Sequence, residues 1–312
     1  MGPVAAPLVG HQDAMLTNFA KKFVNNELIA DRIAPAVPVG RQTDKYWIFG
    51  RESQELLEYQ LRATGAPAEA IRITLSTDSY NCKSHALQSR IADEDRQGYA
   101  DAGDIERDAV QTMMEKILLQ REDELATMLG DTAQVTNNTT LAGASQWSND
   151  ASTPGVDIQT ALDKIVESGV RGNFIAMGWQ VFAKLRWHPA IRATFQYHQD
   201  RALTDADLAA YFGVQNFWVG AAVKRSKAGV ISFVWGKNAI VGYVSPSPSA
   251  QDISGVKNFR WTGAPGTSGG IGVVKGRHPD PTAKSDIIGV DDYYHQKITA
   301  VEALYLIKSA VA

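Results

Sequence analysis

The chain has one cysteine, Cys82, so an intrachain disulfide is impossible and a cysteine-based zinc site is excluded. Uninterrupted apolar runs are short, and no window approaches the roughly 18 residues of a membrane span. The N-terminus, MGPVAAPLVGHQDAML, lacks both a basic n-region and an apolar h-region, so it does not read as a signal peptide. Ala6 stands where a myristoylation motif needs Ser or Thr. An excess of positive charge is also missing: the formal net charge is −3, and no Lys/Arg run supplies the footprint of a nucleic-acid or anionic-membrane binder. What remains is a chain of 312 residues with a globular composition, enough for one large domain or two ordinary ones, made and used in solution.

Glu27–Glu52, ELIADRIAPAVPVGRQTDKYWIFGRE, sets an apolar, proline-punctuated arm before a short aromatic strand. Pro35 and Pro38 lack backbone N–H groups and bias their predecessors toward extended geometry. The arm cannot bury Ile29, Ile33, Val37 and Val39 against itself, so it needs a surface to lie on, in its own domain or a neighbour's. Lys45–Gly50 and Ile71–Leu75 read as strands, with strand-compatible Ser79–Arg90 following, and the simplest arrangement is a long β-hairpin with its tip around Gly65 and Pro67.

Asp104–Leu129 carries apolar residues at helical spacing, Asp101 or Asp104 to cap its start and Gly130 to stop it. At ~1.5 Å per residue it would be nearly 40 Å long. Glu115, Lys116, Arg121, Glu122, Asp123 and Glu124 read as its solvated or subunit-facing side. Ser/Thr/Asn/Gly-rich 136–155 reads as a domain boundary. Beyond it come a helix capped by Asp157, a strand at Phe174–Met177, a helix at Trp179–Arg186, and a helix opened by Thr204 and Asp207 and closed by Gly213. Strands follow at Phe217–Val223, Val230–Trp235 and Ile240–Val244. Tyr293–Ala312 alternates as one long β-compatible run, expected to close the domain begun by the long helix.

Motifs of catalysis are wanting. Gly263–Gly276 lacks the Gly-Lys-Ser/Thr of a P-loop and the helix of a dinucleotide fingerprint, and reads as a surface loop. The six histidines, His11, His85, His188, His198, His278 and His295, show no i, i+4 metal pair. Asp93, Glu94 and Asp95, like Asp291 and Asp292, are expected at element ends, as helix-end charge or solvated hinges. No Gly-x-Ser-x-Gly elbow occurs, and Cys82 has no nucleophile signature around it. Tyr46, Trp47 and Phe49 with Arg41, Lys45 and Arg51 could stack single-stranded nucleic acid, but without a basic field they read as protein-interface anchors.

The order of these parts, with IADRIAPAVPVGRQTDKYWIFGRE (Ile29–Glu52), RIADEDRQGYADAGDIERDAVQTMMEKILLQRE (Arg90–Glu122) and SFVWGKNAIVGYVSP (Ser232–Pro246), resembles a tailed-bacteriophage major capsid protein of the Hong Kong 97-type fold. The resemblance implies an α+β chain: an N-terminal arm at 1–40, an extended β-hairpin loop at 41–92, a peripheral domain at 93–150 and 282–312 with spine helix 104–129, and an axial α/β domain at 151–281. It implies a structural protein, not an enzyme, with no cofactor and no catalytic or metal residues. Such a chain would self-assemble into hexamers and pentamers of an icosahedral head in the virion, built in the bacterial host cytoplasm. Its partners would be other copies of itself, a portal, separate scaffolding or decoration proteins, and enclosed double-stranded DNA bound without sequence specificity; no membrane is implied. Expected subunit-interface residues are Ile33, Pro35, Val37, Arg41, Tyr46, Trp47, Phe49, Arg51 and Glu52. A short arm implies separate scaffolding or none, and no Lys, Asn and Glu trio is marked out for covalent crosslinking. An encapsulin-like nanocompartment is the alternative within the same fold, and a soluble α/β enzyme the alternative outside it.

Overall fold

The computed structural model describes residues 28–49, 64–65, 75–98, 102–195, 202–264, 273–280, 282 and 284–312. In chain order these form α1 (Ala30–Ile33), β1 (Ala36–Val39), β2 (Thr43–Phe49), β3 (Leu75–Asn81), β4 (Lys83–Ala92), α2 (Asp93–Gly98) and α3 (Ala102–Leu129). Then come β5 (Asn138–Thr140), α4 (Pro154–Val166), β6 (Phe174–Gly178), α5 (Trp179–Leu185), α6 (Pro189–Arg192), α7 (Asp205–Phe212), β7 (Asn216–Gly220), β8 (Val223–Arg225), β9 (Ile231–Phe233) and β10 (Ala239–Gly242). The last strands are β11 (Val256–Trp261), β12 (Val273–Asp280), β13 (Ser285–Ile298) and β14 (Leu304–Lys308).

The spine helix α3 forms where the apolar spacing requires it. Val110, Met113, Met114 and Ile117 pack on Ile288 and Val290 of β13 and on Ile91 of β4. Farther along, Leu125 and Leu129 meet Ile29, Ile33 and Ala34 of the arm and Trp235. At 28 residues the helix is about 42 Å long and spans both contacts.

Two sheets flank it. In the first, β13 pairs antiparallel with β4 along one edge and with β12 and then β11 along the other, while β1 lies parallel to β11 with Val37 opposite Phe259. The second has the order β5-β14-β10-β6-β7. It is covered by α4, whose Ile158, Ala161, Leu162 and Ile165 share a core with Ile175, Met177, Val241 and Ile307. The hairpin base is present as expected, with β2 antiparallel to β3 and Thr43 opposite Asn81 through to Phe49 opposite Leu75.

Two local readings are revised and a third holds. The run 293–312 is two strands in different sheets: β13 ends at Ile298, a turn of 3₁₀ helix covers Val301–Ala303, and β14 pairs with β10 and β5. A strand expected to close the spine-helix domain thus sits inside the sheet made by residues 138–242. Helix α4 begins at Pro154, where proline at the first turn loses no hydrogen bond, and Asp157 instead accepts from Trp147 Nε1 at 2.8 Å. Helix α7 follows its sequence: Thr204 and Asp207 form the capping box, and Gly213 ends it in the left-handed region at φ 66°.

Candidate subunit-contact site and the network behind it

The polar end of α3 does not face solvent as its charges imply. Arg121 is 2% exposed and Glu122 is fully covered. Glu122 Oε1 accepts the Ile29 N–H at 3.0 Å, Oε2 accepts the Ala30 N–H at 2.7 Å, and the Trp235 indole also donates to Oε1. One carboxylate therefore caps α1, ties the arm to the spine and fixes Trp235. Burial pushes its carboxyl above the ordinary range, against the opposing pull of the Ile29, Trp235 and Ala30 donors.

Arg121 donates to Asp31 of the arm and, at 3.4 Å, to Asp292 of β13. Arg260 of β11 holds both oxygens of Asp292 at 3.0 and 2.9 Å. Asp292, 3% exposed, lies in the middle of β13 and anchors two arginines, and Asp291 beside it is also buried. The expectation of a solvated hinge there is wrong, because two arginines from other elements compensate the buried charge. Asp93, Glu94 and Asp95 do stand in the first turn of a helix, α2.

This network was legible in part. Arg121 falls three or four residues from Ile117, Leu118 and Leu125, and Glu122 from Leu118 and Leu125, on the apolar stripe, and that placement outweighs the charge of the run. Glu115, Lys116 and Glu124 are exposed, as read.

The hairpin base is fastened on the other face of the first sheet. Tyr46 and Tyr80 pack on Phe259 with ring centroids 5.4 and 4.8 Å away. Tyr46 donates its hydroxyl to Asp78 at 3.0 Å, and Lys297 of β13 donates to Asp78 at 2.5 Å and to the Ser79 carbonyl at 2.8 Å. Burial pushes the Asp78 carboxyl up, but Lys297, the Ser79 N–H and Tyr46 outweigh it and leave the group below its usual value. Burial raises the Tyr46 phenol, and Asp78 raises it further. Cys82 is fully buried, its thiol donating to the Phe259 carbonyl at 3.4 Å, and burial pushes the thiol up to about 11.

The expected contact residues divide. Ile33, Val37 and Tyr46 are covered by their own chain, at 0%, 2% and 6% exposure, so the arm's apolar face from Ile29 to Val39 lies on its own subunit. The expectation that a neighbour supplies this surface fails here, because β1 pairs with β11 and α1 is capped by Glu122. Pro35 is half-buried, Arg41 is exposed beside Asp44, and Trp47 is 53% exposed at the edge of the hairpin base. Phe49 ends β2, whereas Arg51 and Glu52 lie outside the described residues, as do His11, His198, the arm before Leu28 and most of the glycine loop.

A Ser–His contact in the second sheet's domain is structural. His188 Nδ1 accepts from the Ala190 N–H at 3.3 Å, so Nε2 carries the proton and donates, and Ser152 gives its own proton to the Asn149 carbonyl at 2.8 Å. A histidine protonated toward the serine cannot serve as its base. Among the described residues no group of three His, Cys, Asp or Glu could hold a metal ion, and no helix is long and apolar enough to cross a membrane.

Comparison with known proteins places this architecture. A phage-related protein from Bordetella bronchiseptica RB50 superposes with a TM-score of 0.78 at 26% identity, over 96% of this chain and 98% of that one. The capsid of cyanophage P-SCSP1u superposes at 0.60 and 10% identity over 93% and 90%. Arm, hairpin, spine helix and two sheets therefore define the Hong Kong 97-type fold seen in phage capsids, α+β in class. In sequence, the family model for phage major capsid protein E matches residues 104–243. The major capsid protein of Burkholderia phage BcepMu is 29% identical over 244 residues, 74% of this chain and 76% of that one. These sequence matches and the fold support a phage major capsid protein, a structural chain and not an enzyme, part of the virion as an oligomeric building block.

Proposed function

We propose that this chain rings into hexamers and pentamers that close into an icosahedral head around double-stranded DNA, with a portal in place of one pentamer. The observation that carries the reading is the rigid fastening of the hairpin base: Asp78, Tyr46 and Lys297 fix an element whose outward residue, Trp47, is left for a neighbour. In this reading residues 1–40 act as arm, 41–92 as extended loop, 93–150 with 282–312 as peripheral domain and 151–281 as axial domain, with β14 at 304–308 reaching across to complete the axial sheet. Pro35, Arg41, Trp47, Phe49, Arg51 and Glu52 remain contact residues, whereas Ile33, Val37 and Tyr46 hold those contacts in place from within.

Many modest contacts repeated by closed symmetry give a durable shell while each alone stays reversible enough to correct errors. A net charge of −3 suits a wall that confines DNA without reading its sequence, and scaffolding or decoration proteins would be separate chains. An encapsulin-like compartment shares the fold, but the sequence relatives favour the phage head. Size-exclusion chromatography with negative-stain microscopy of the purified chain tests the reading. Rings or closed shells are expected, and a clean monomer at high concentration would refute it.

A further inference from the structure

The groups that fasten the hairpin base to the body respond differently to protons. Tyr46 and Tyr80 pack on Phe259 of β11, an aromatic contact that acid leaves alone. Lys297 of β13 holds Asp78 and the Ser79 carbonyl, and Asp78, kept below its ordinary value, stays ionised well into acid. A further attachment is of another kind: the Asn81 N–H, at the end of β3, donates to His295 Nδ1 of β13 at 3.3 Å. A ring nitrogen that accepts carries no proton, so His295 is neutral with its hydrogen on Nε2. A proton added at Nδ1 sets two donors against each other, and the bond is lost.

The surroundings favour the neutral ring. His295 pairs in register with Phe259, and cross-strand partners share a face, so it points toward the hairpin. Lys297, two residues along β13, lies on that face too, and Lys83 of β4 adds a second positive charge. Against them stands Asp78 of β3, already committed to Lys297 and Tyr46. Phe259 and Tyr46 present no charge, Lys257 of β11 is spent on Asp252, and Arg41 and Asp44 at the start of β2 pair with each other. Burial, then Lys297 and Lys83, hold the ring below the ordinary histidine value. Its contribution is therefore complete above the unfolded value of about 6.5, and is lost as pH falls through the lower folded one. That window opens at higher pH than the one in which Asp78 takes its proton. β13 is gripped by β4, β11 and β12, so the hairpin gives way and the sheet does not.

We propose that His295 is a proton-operated latch: neutral, it pins the end of β3 to β13, and protonated, it frees the hairpin base to change its angle on an otherwise unaltered body. The latch lies within one subunit, so it is tested independently of the shell reading. Amide exchange of the full-length chain is followed from neutrality to about pH 4.5, above the ordinary carboxylate range, with rates divided by their intrinsic values and one assembly state isolated by size exclusion. Protection in Thr43–Phe49 and Leu75–Asn81 is expected to fall severalfold while α4 stays level. His295→Gln, whose amide oxygen accepts at any pH, should abolish the fall. An equal fall in His295→Gln overturns the latch. Should that variant fail to fold, the wild-type ring decides by NMR titration: its midpoint should coincide with the loss of protection. A ring that takes its proton with protection unchanged, or that stays neutral throughout the series, refutes the proposal.

Discussion

Glu122 shows how much of the arm's position depends on one side chain. Replacing it with alanine leaves the Ile29 and Ala30 N–H groups and the Trp235 indole without their acceptor in a dry site, at an expected cost of about 3–5 kcal/mol in urea unfolding. Glu122→Gln keeps the shape and one acceptor oxygen and should cost less. The pH dependence has a definite sign: a carboxyl raised on folding contributes most below its unfolded value, about 4.3, and that contribution is lost as pH rises through the higher folded value. The stability gap between wild type and Glu122→Gln should therefore move against the wild type between acid and neutral pH. A gap that widens in its favour would contradict the placement. Sequence made this residue look solvated because it sits in the run Arg121–Glu124, and only its register with Leu118 and Leu125 marked it as inward.

At the level of elements, the hairpin is held to the body by few groups. Lys297→Ala removes the ammonium shared by Asp78 and the Ser79 carbonyl, so amide exchange in Thr43–Phe49 and Leu75–Asn81 should accelerate while α4 stays protected. Asp78 is held below its ordinary value, so its contribution is present above the unfolded carboxylate range and lost as pH falls through the folded one. Wild-type exchange in these strands should consequently approach that of Lys297→Ala in acid, and unchanged exchange would show that the aromatic packing on Phe259 suffices. β2 was readable from its aromatic content, whereas β3, Leu75–Asn81, bridges the expected strands Ile71–Leu75 and Ser79–Arg90. The break between β13 and β14 was not readable, since Thr299–Ala303 contains neither glycine nor proline and the alternation runs across it.

Across the whole molecule, the described arm, residues 28–39, is built into its own subunit. Deleting 1–40 removes β1, α1 and the ligands of Glu122 and should yield insoluble or unfolded protein. A deleted chain that melts cooperatively near the wild-type temperature would refute this. Overall architecture was legible because the order of parts survives in sequence, while the assignment of arm residues to self or neighbour depends on pairings that no linear pattern records. β13 and β14 carry one more consequence. Both sheets need strands from residues 285–308, the last described stretch to leave the ribosome, and β13 in particular holds β4, β11 and β12 at once. A nascent chain thus cannot present a finished surface to its siblings on the same messenger, and the order of synthesis itself delays association until each copy is complete.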